Sequence, residues 1–267
     1  MLAPMTPHPL LDAHDVPAVE PYLRTVGEVF RAFREQDSGC VSYGVLLPDG
    51  RRWFVKEAVT DRAQRSLDRA WAFHRAIRHP VIVPQLHRIA VRGSSRTATV
   101  MPWCKGEPLY GATARSRFRA LPVPRVLHAL DRILDAHLAV EAAGHVAVDL
   151  YDGSFLHDFD AGDLHLIDLD EYRPGPFVLT EDRLPGSRRF MAPEEWRKGS
   201  VIDTRTTVHV LARAARLLLD AGDDERAWRG TAAQLAVVER GTRSVPGERF
   251  AGVRGLAAAW RAATSAG

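Results

Sequence analysis

The chain changes texture part-way along, and that change limits the folds open to it. Up to about residue 104, apolar residues fall in short runs broken by turn chemistry. "VSYGVLLPDGRRWFVK" (41–56) sets two such runs around Pro48, Asp49 and Gly50 and predicts a β-hairpin. "DRAQRSLDRAWAFHRAIRHP" predicts a helix that stops at Pro80, and after it "VIVPQLHRIAV" and "RTATVMPW" predict two further strands. Beyond Gly106 the apolar spacing becomes helical. "PVPRVLHALDRILDAHLAVEAAG" predicts a long amphipathic helix ended by Gly144, and "TTVHVLARAARLLLDAG" and "GVRGLAAAWRAA" predict two more. A strand-rich part followed by a helix-rich part predicts an α+β chain in two lobes. The expected boundaries are a loose, proline-rich tail over 1–27, a β lobe over 28–104 and a helical lobe over 105–267, joined near "WCKGEP". No internal repeat is present.

Composition narrows the class. The chain has 267 residues, enough for a substantial core, with 46% hydrophobic and 26% charged residues. The formal net charge is only +3, and Arg far outnumbers Lys without a dense basic run, so nucleic acid is not an expected partner. No apolar run approaches a membrane span, so no membrane is expected either. The start "MLAPMTPHPLLDAHD" is too polar for a signal peptide. Cys40 and Cys104 lie far apart and outside any metal-ligand pattern, so the expectation is a reduced, cytoplasmic protein.

One stretch resists a purely structural reading. "GHVAVDLYDGSFLHDFDAGDLHLIDLDEY" (144–172) sets seven aspartates among apolar runs, where an unpaired carboxylate is costly to bury. Asp152, Asp158, Asp160 and Asp163 are expected to be turn acids, with "DAGD" closing a hairpin. Asp149 and Asp168 are not explained in that way.

The order of motifs offers an explanation. A strand ends in "FVK", a helix follows, a strand leads to "VMPWCKGEPL", and a long helix leads to "GHVAVDLYDGSFL". Then come "LHLIDLD", "GSRRFMAPEE" and, near the end, "VPGERF". Over about residues 28–264 this series resembles the protein-kinase-like superfamily, and in particular divergent bacterial serine/threonine protein kinases. "GSRRFMAPEE" is its most specific piece. The resemblance implies a bilobal kinase-like fold with an antiparallel β N-lobe and a mainly helical C-lobe. It implies ATP and Mg²⁺ as cofactors, because phosphoryl transfer is mostly positioning and charge neutralisation. By the same resemblance Lys56 matches the strand lysine that holds nucleotide phosphates. Asp149 matches the catalytic-loop aspartate, and Asp168 of "DLD" matches the metal-binding aspartate. Ser154 stands where a second metal-binding side chain falls. Met101 and Cys104 fall at the hinge that meets adenine, and Leu156 completes the nucleotide contacts. Lys56 and Asp168 are expected to face one cleft between the lobes. Glu194 of "MAPEE" is expected to pair with Arg249 as a structural brace.

The pattern also departs from that family. "EQDSGCVSYG" offers one well-placed glycine, Gly39, where a phosphate-covering loop has three. Phe54 replaces the alanine above the adenine. The helix acid expected to pair with Lys56 aligns with Ala70, and Asp68 lies two residues away, on another face. Ala147 and Val148 precede Asp149, Tyr151 replaces a lysine, and Thr207 stands where an aspartate braces the catalytic loop. Three functions stay open on these residues. They are ATP-dependent transfer to a protein Ser/Thr hydroxyl, a pseudokinase that binds or scaffolds, and transfer to a small-molecule acceptor. The oligomeric state is left open.

Overall fold

The computed structural model describes residues 7–35 and 38–265. It is a mixed α+β protein with seven α-helices among the described residues and mostly antiparallel sheets. It divides into two compact units, residues 1–75 with 83–104 and residues 76–82 with 105–267.

The first unit is built on a six-stranded sheet. Its strands are β1 (Asp15–Val16), β2 (Glu28–Phe33), β3 (Cys40–Leu46), β4 (Arg52–Ala58), β5 (His87–Val91) and β6 (Thr97–Pro102), in spatial order β1-β5-β6-β4-β3-β2. All pairings are antiparallel except β1 with β5. The β3–β4 turn forms where "PDG" predicts it. Asp49 accepts a hydrogen bond from the Arg51 N–H (2.9 Å), and Gly50 takes the left-handed φ of 83° that favours glycine. Alternation then sorts the strands. Val45, Val55 and Val100 enter a closed core, while Lys56 and Phe54 occupy the opposite phase of β4. Helix α2 (Asp61–Ala76) starts at Thr60, whose hydroxyl accepts from the Ala63 N–H (3.1 Å). It buries Ala63, Leu67, Ala70 and Phe73 at helical spacing.

The N-terminal segment corrects an expectation. Where the structure describes it, from residue 7, the stretch 1–27 is not a loose tail; residues 1–6 lie outside the described residues. Helix α1 (Val19–Val26) and strand β1 close the sheet's apolar face, and Leu10, Val16, Val19 and Leu23 are fully enclosed there. The Tyr22 hydroxyl donates to the Pro9 carbonyl (2.5 Å), which ties the preceding loop to the helix. The prolines hide a short apolar pattern whose burial holds the segment down; burying a Leu or Val side chain stabilises by about 1.5–3 kcal/mol.

The second unit is mainly helical. Helices α3 (Ala112–Arg119), α4 (Val123–Ala142), α5 (Thr204–Leu219), α6 (Ala232–Gly241) and α7 (Val253–Ser265) surround a core that includes Leu130, Ile133, Leu211, Val238, Leu256 and Trp260. Side chains cap the starts of α5, α6 and α7. Asp203 accepts from the Arg205 N–H (2.8 Å) at the start of α5, and Thr231 and Gln234 form a reciprocal capping box on α6. Glu141 of α4 takes the Val253 and Arg254 N–H groups at the start of α7. Short strands carry the aspartate-rich stretch. They are β7 (Glu107–Pro108), β8 (His145–Val146), β9 (Phe155–His157), β10 (Leu164–Leu166), β11 (Arg173–Pro174), β12 (Phe177–Val178) and β13 (Val201–Ile202). They form a β10-β9-β7 sheet and the pairs β11-β8 and β12-β13, all antiparallel.

Candidate active site

In the second unit the loop after β8 holds Asp149 in an unusual backbone state. Its φ is 61°, in the left-handed region that an ordinary side chain avoids. Asp168, just after β10, has a φ of 59°. Such conformations cost on the order of 1–3 kcal/mol each and persist only where the surroundings over-determine them. The surroundings here are specific. The buried Thr207 hydroxyl on α5 accepts from the Ala147 N–H (3.0 Å), fixing the loop two residues before Asp149. The Ser154 carbonyl accepts from the Ile167 N–H (3.0 Å), joining the end of that loop to the residue before Asp168. Leu166 donates its N–H to the Val81 carbonyl (2.7 Å), which anchors β10 from the other side.

The carboxylates differ in setting. Asp149 is half-buried and Asp168 is exposed. Gly186 sits over Asp149: a Cβ there would lie 3.8 Å from Asp149 Oδ1 and only 3.0 Å from Met191, and Gly186 has a φ of 151°. A side chain at this position is therefore disfavoured by both space and backbone. Below Asp149, Tyr172 and His137 form a buried pair, the Tyr172 Oη and His137 Nε2 being 2.8 Å apart, while His137 Nδ1 lies 2.7 Å from the Ile133 carbonyl. Burial pushes the Tyr172 phenol well up, and the Asp149 charge adds to this; burial lowers His137 to about 4, so its imidazole is neutral. Glu195 is enclosed and accepts from the Ala192 N–H (2.6 Å). Burial raises its carboxyl to about 8, with the Glu194 and Asp149 charges contributing.

Other residues of the stretch divide between turns and ion pairs. Asp158 accepts from the Asp160 and Ala161 N–H groups (2.9 and 3.2 Å) and shapes the β9–β10 turn, which Gly162 completes at φ 77°. Asp152 opens the turn at Asp152–Ser154 and has a distant partner as well. It is buried 3.2 Å from Arg115 of α3, and burial raises its carboxyl against the pull of that guanidinium. Leu156 on β9 is buried. Ser154 is fully enclosed, and its Oγ has no hydrogen-bond partner among the described residues.

The brace between "MAPEE" and "VPGERF" forms in full. Arg249 donates through both terminal nitrogens to Glu194 (2.6 and 2.8 Å), and Thr206 adds a third bond to the carboxylate (2.8 Å). Burial pushes the Glu194 carboxyl up, but these bonds outweigh it and hold the group below the usual glutamate range.

In the first unit Lys56 is buried on β4, between Ser42 of β3 and Thr99 of β6 in register. Phe54, two residues earlier, lies opposite Gly44 and Met101. It joins a half-buried aromatic cluster with Phe33 and Trp103, each at 6.1 Å between ring centroids, and Trp103 in turn meets Phe30 at 4.9 Å. Cys104 is half-buried, and burial raises its thiol. Asp68 is committed to Arg88 (2.5 Å) and Gln64 (2.9 Å), while Ala70 is buried. Gly39 has a φ of 70°, and a Cβ there would meet the Thr60 hydroxyl at 2.5 Å, so this glycine serves close packing against the start of α2. Gln36 and Asp37 of the expected phosphate-covering loop lie outside the described residues.

Sequence reasoning marked Thr207 only as the absence of an aspartate, and it missed Arg115 and the His137–Tyr172 pair. His137 sits inside an ordinary amphipathic helix, where no local signal separates it from core-facing polar residues. Comparison of the chain with protein-family models gives no match, and no curated protein is significantly similar to it. No group of three or more His, Cys, Asp or Glu among the described residues could hold a metal ion. Also among them, no helix is long and apolar enough to cross a membrane.

Proposed function

We propose that the chain is an ATP-dependent phosphotransferase of the serine/threonine protein-kinase type, acting on a protein hydroxyl. The observation that carries this reading is the pair Asp149 and Asp168. Both are held at left-handed φ by loops hydrogen-bonded to each other, and one loop is braced by Thr207. A fold that only needed turns at these points would use glycine at less cost. Glu225 is the one other non-glycine residue at such a φ among those described, and its carboxylate is taken up by a two-pronged ion pair with Arg213.

In this reading Asp149 orients the acceptor hydroxyl and takes its proton. Lys56 steadies the nucleotide phosphates, and Met101, Cys104 and Leu156 contact the base. Mg²⁺ would supply charge neutralisation at the phosphates, and it commonly rests on one or two carboxylates plus substrate oxygens. The exposed Asp168 suits that demand, whereas the enclosed Ser154 Oγ offers no open ligand. A single protein carboxylate and the missing lysine at Tyr151 predict slow transfer.

The test is incorporation of label from γ-labelled ATP over long incubations. Wild type is expected to incorporate label, and Asp149→Ala to abolish incorporation while retaining ATP binding. Asp168→Asn is expected to lose Mg²⁺-dependent nucleotide binding. Equal incorporation by wild type and Asp149→Ala would defeat the catalytic assignment. Nucleotide binding without incorporation by any form favours the pseudokinase reading, for which the enclosure of Ser154 speaks.

A further inference from the structure

Next to Asp149 the second unit carries a charged surface that the phosphotransfer reading does not use. The segment 183–189 ("RLPGSRR") runs over the catalytic loop. Leu184 and Met191 pack with Val148, and Gly186 lies directly over the Asp149 carboxylate. Leu184 donates its N–H to the Glu195 carbonyl (2.9 Å), which fixes the segment against the turn that presents Trp196. Arg183 and Arg188 both lie over the exposed Trp196 indole, their guanidinium carbons 5.2 and 5.7 Å from its centroid. Both arginines are exposed, and among the described residues neither has a carboxylate within ion-pair distance. Three of the nearby acids are otherwise engaged or silent. Glu194 is bound to Arg249, Asp223 pairs with Arg189, and buried Glu195 is largely protonated near neutral pH. The Thr180 hydroxyl bonds Glu181, and Asp182 is exposed without an ion pair to either arginine. Arg197 and Lys198 follow Trp196 and add exposed positive charge.

Two guanidiniums held on one indole ring present paired donors for an anion, since arginine recognises carboxylate and phosphate through paired N–H groups. Chain geometry sets the range. Arg183 and Arg188 are three and two residues from Gly186, so their Cα atoms lie within about 11 and 8 Å of the point above Asp149. That is the reach of a peptide side chain two or three positions from the reacting hydroxyl.

We propose that Arg183, Arg188 and Trp196 form a substrate clamp that selects acceptor peptides with an anionic side chain two or three residues from the phosphorylated hydroxyl. The proposal rests on the phosphotransfer reading and names its substrate class. The anion is a carboxylate or a phosphate already on the peptide.

The experiment uses the full chain and serine peptides that differ only at the flanking positions, carrying Ala, Asp, phosphoserine or Lys. Transfer from γ-labelled ATP gives kcat/KM, and anisotropy of fluorescent peptides without ATP gives Kd. The Asp or phosphoserine peptide is expected to exceed the Ala peptide at least tenfold in both measures, and the two arms identify which anion is preferred. Arg183→Gln/Arg188→Gln is expected to erase the preference with an unchanged melting midpoint. Arg183→Glu/Arg188→Glu is expected to move the preference to the Lys peptide, which a merely structural role would not do. Equal rates for all peptides with wild type, or a preference kept by the double Gln variant, would overturn the clamp and leave the phosphotransfer reading standing. If no peptide is labelled, that reading fails, and anisotropy alone then judges the clamp: tighter binding of anionic peptides supports it, and equal binding overturns it.

Discussion

Arg249→Met tests the energetics of the second unit most sharply. The Arg249 side chain is fully buried and Glu194 nearly so. Besides its two bonds to Glu194, Arg249 donates to the carbonyls of Arg243 (2.7 Å), Arg205 (3.0 Å) and Ser244 (3.2 Å). Removing it strands a buried carboxylate that keeps neutral partners such as Thr206 but no counter-charge, and removing one partner of a buried pair costs about 3–5 kcal/mol. At about 2–4 °C per kcal/mol for a protein of this size, the midpoint should fall by roughly 6–20 °C. Glu194→Gln should destabilise as well, because the amide keeps the Thr206 bond but leaves the buried Arg249 guanidinium without its counter-charge. The pH dependence has a definite sign. Glu194 is held below the ordinary range, so its contribution is present above the unfolded-state pKa and lost as pH falls through the lower folded value. That part of the acid sensitivity should vanish in Glu194→Gln. Thermal melts followed by circular dichroism at pH 7 and pH 3.5 measure both effects. Arg261→Ala is the control, since Arg261 meets Asp131 and Asp135 at the surface and such pairs contribute about 0–1 kcal/mol. If Arg249→Met destabilises no more than this control, the buried brace is not what holds the unit together.

Glu195 has the opposite sign. Its folded pKa is raised to about 8, so the fold loses stability as pH climbs from the ordinary glutamate range towards 8; Glu195→Gln should melt like wild type at pH 5 and higher than wild type at pH 9. Tyr172→Phe removes the hydroxyl that faces His137 and leaves a buried ring nitrogen without its partner, a loss of about 1–3 kcal/mol readable by urea denaturation. Thr207→Val keeps the side-chain shape but strands the buried Ala147 N–H. It should cost about 1–3 kcal/mol and, if Asp149 is catalytic, reduce label transfer while ATP binding is kept.

Much of this chain's local structure was legible because single residues dictate it. Asp49 and Gly50 specify the β3–β4 turn through an acceptor and a positive φ, and Asp158 and Gly162 specify the β9–β10 turn in the same way. The period of 3.6 placed α2, α4 and α5. Local patterns fell short where distant partners decide. Asp152 sits in a turn-like string, yet its neighbour is Arg115, thirty-seven residues earlier on α3, which no local pattern announces. The segment from residue 7 to 27 reads as loose because its prolines break periodicity, but a sheet with an uncovered apolar face supplies the partner that Leu10 and Leu23 need.

Thr207 is the most instructive of these positions. Read as a missing aspartate, it counts against an ordered catalytic loop. The loop's requirement, however, is an acceptor for one buried backbone N–H, and a hydroxyl meets it as a carboxylate would. A neutral acceptor also avoids placing a second buried negative charge near Asp149, where Glu195 is already driven to protonate. Burial is the main reason that Glu195 is protonated, and an aspartate at 207 would add a further negative charge to the same region. If the chain follows the kinase pattern it resembles, threonine at 207 and tyrosine at 151 are compatible departures from it: the Ala147 N–H keeps its acceptor while one negative and one positive charge are both absent near Asp149.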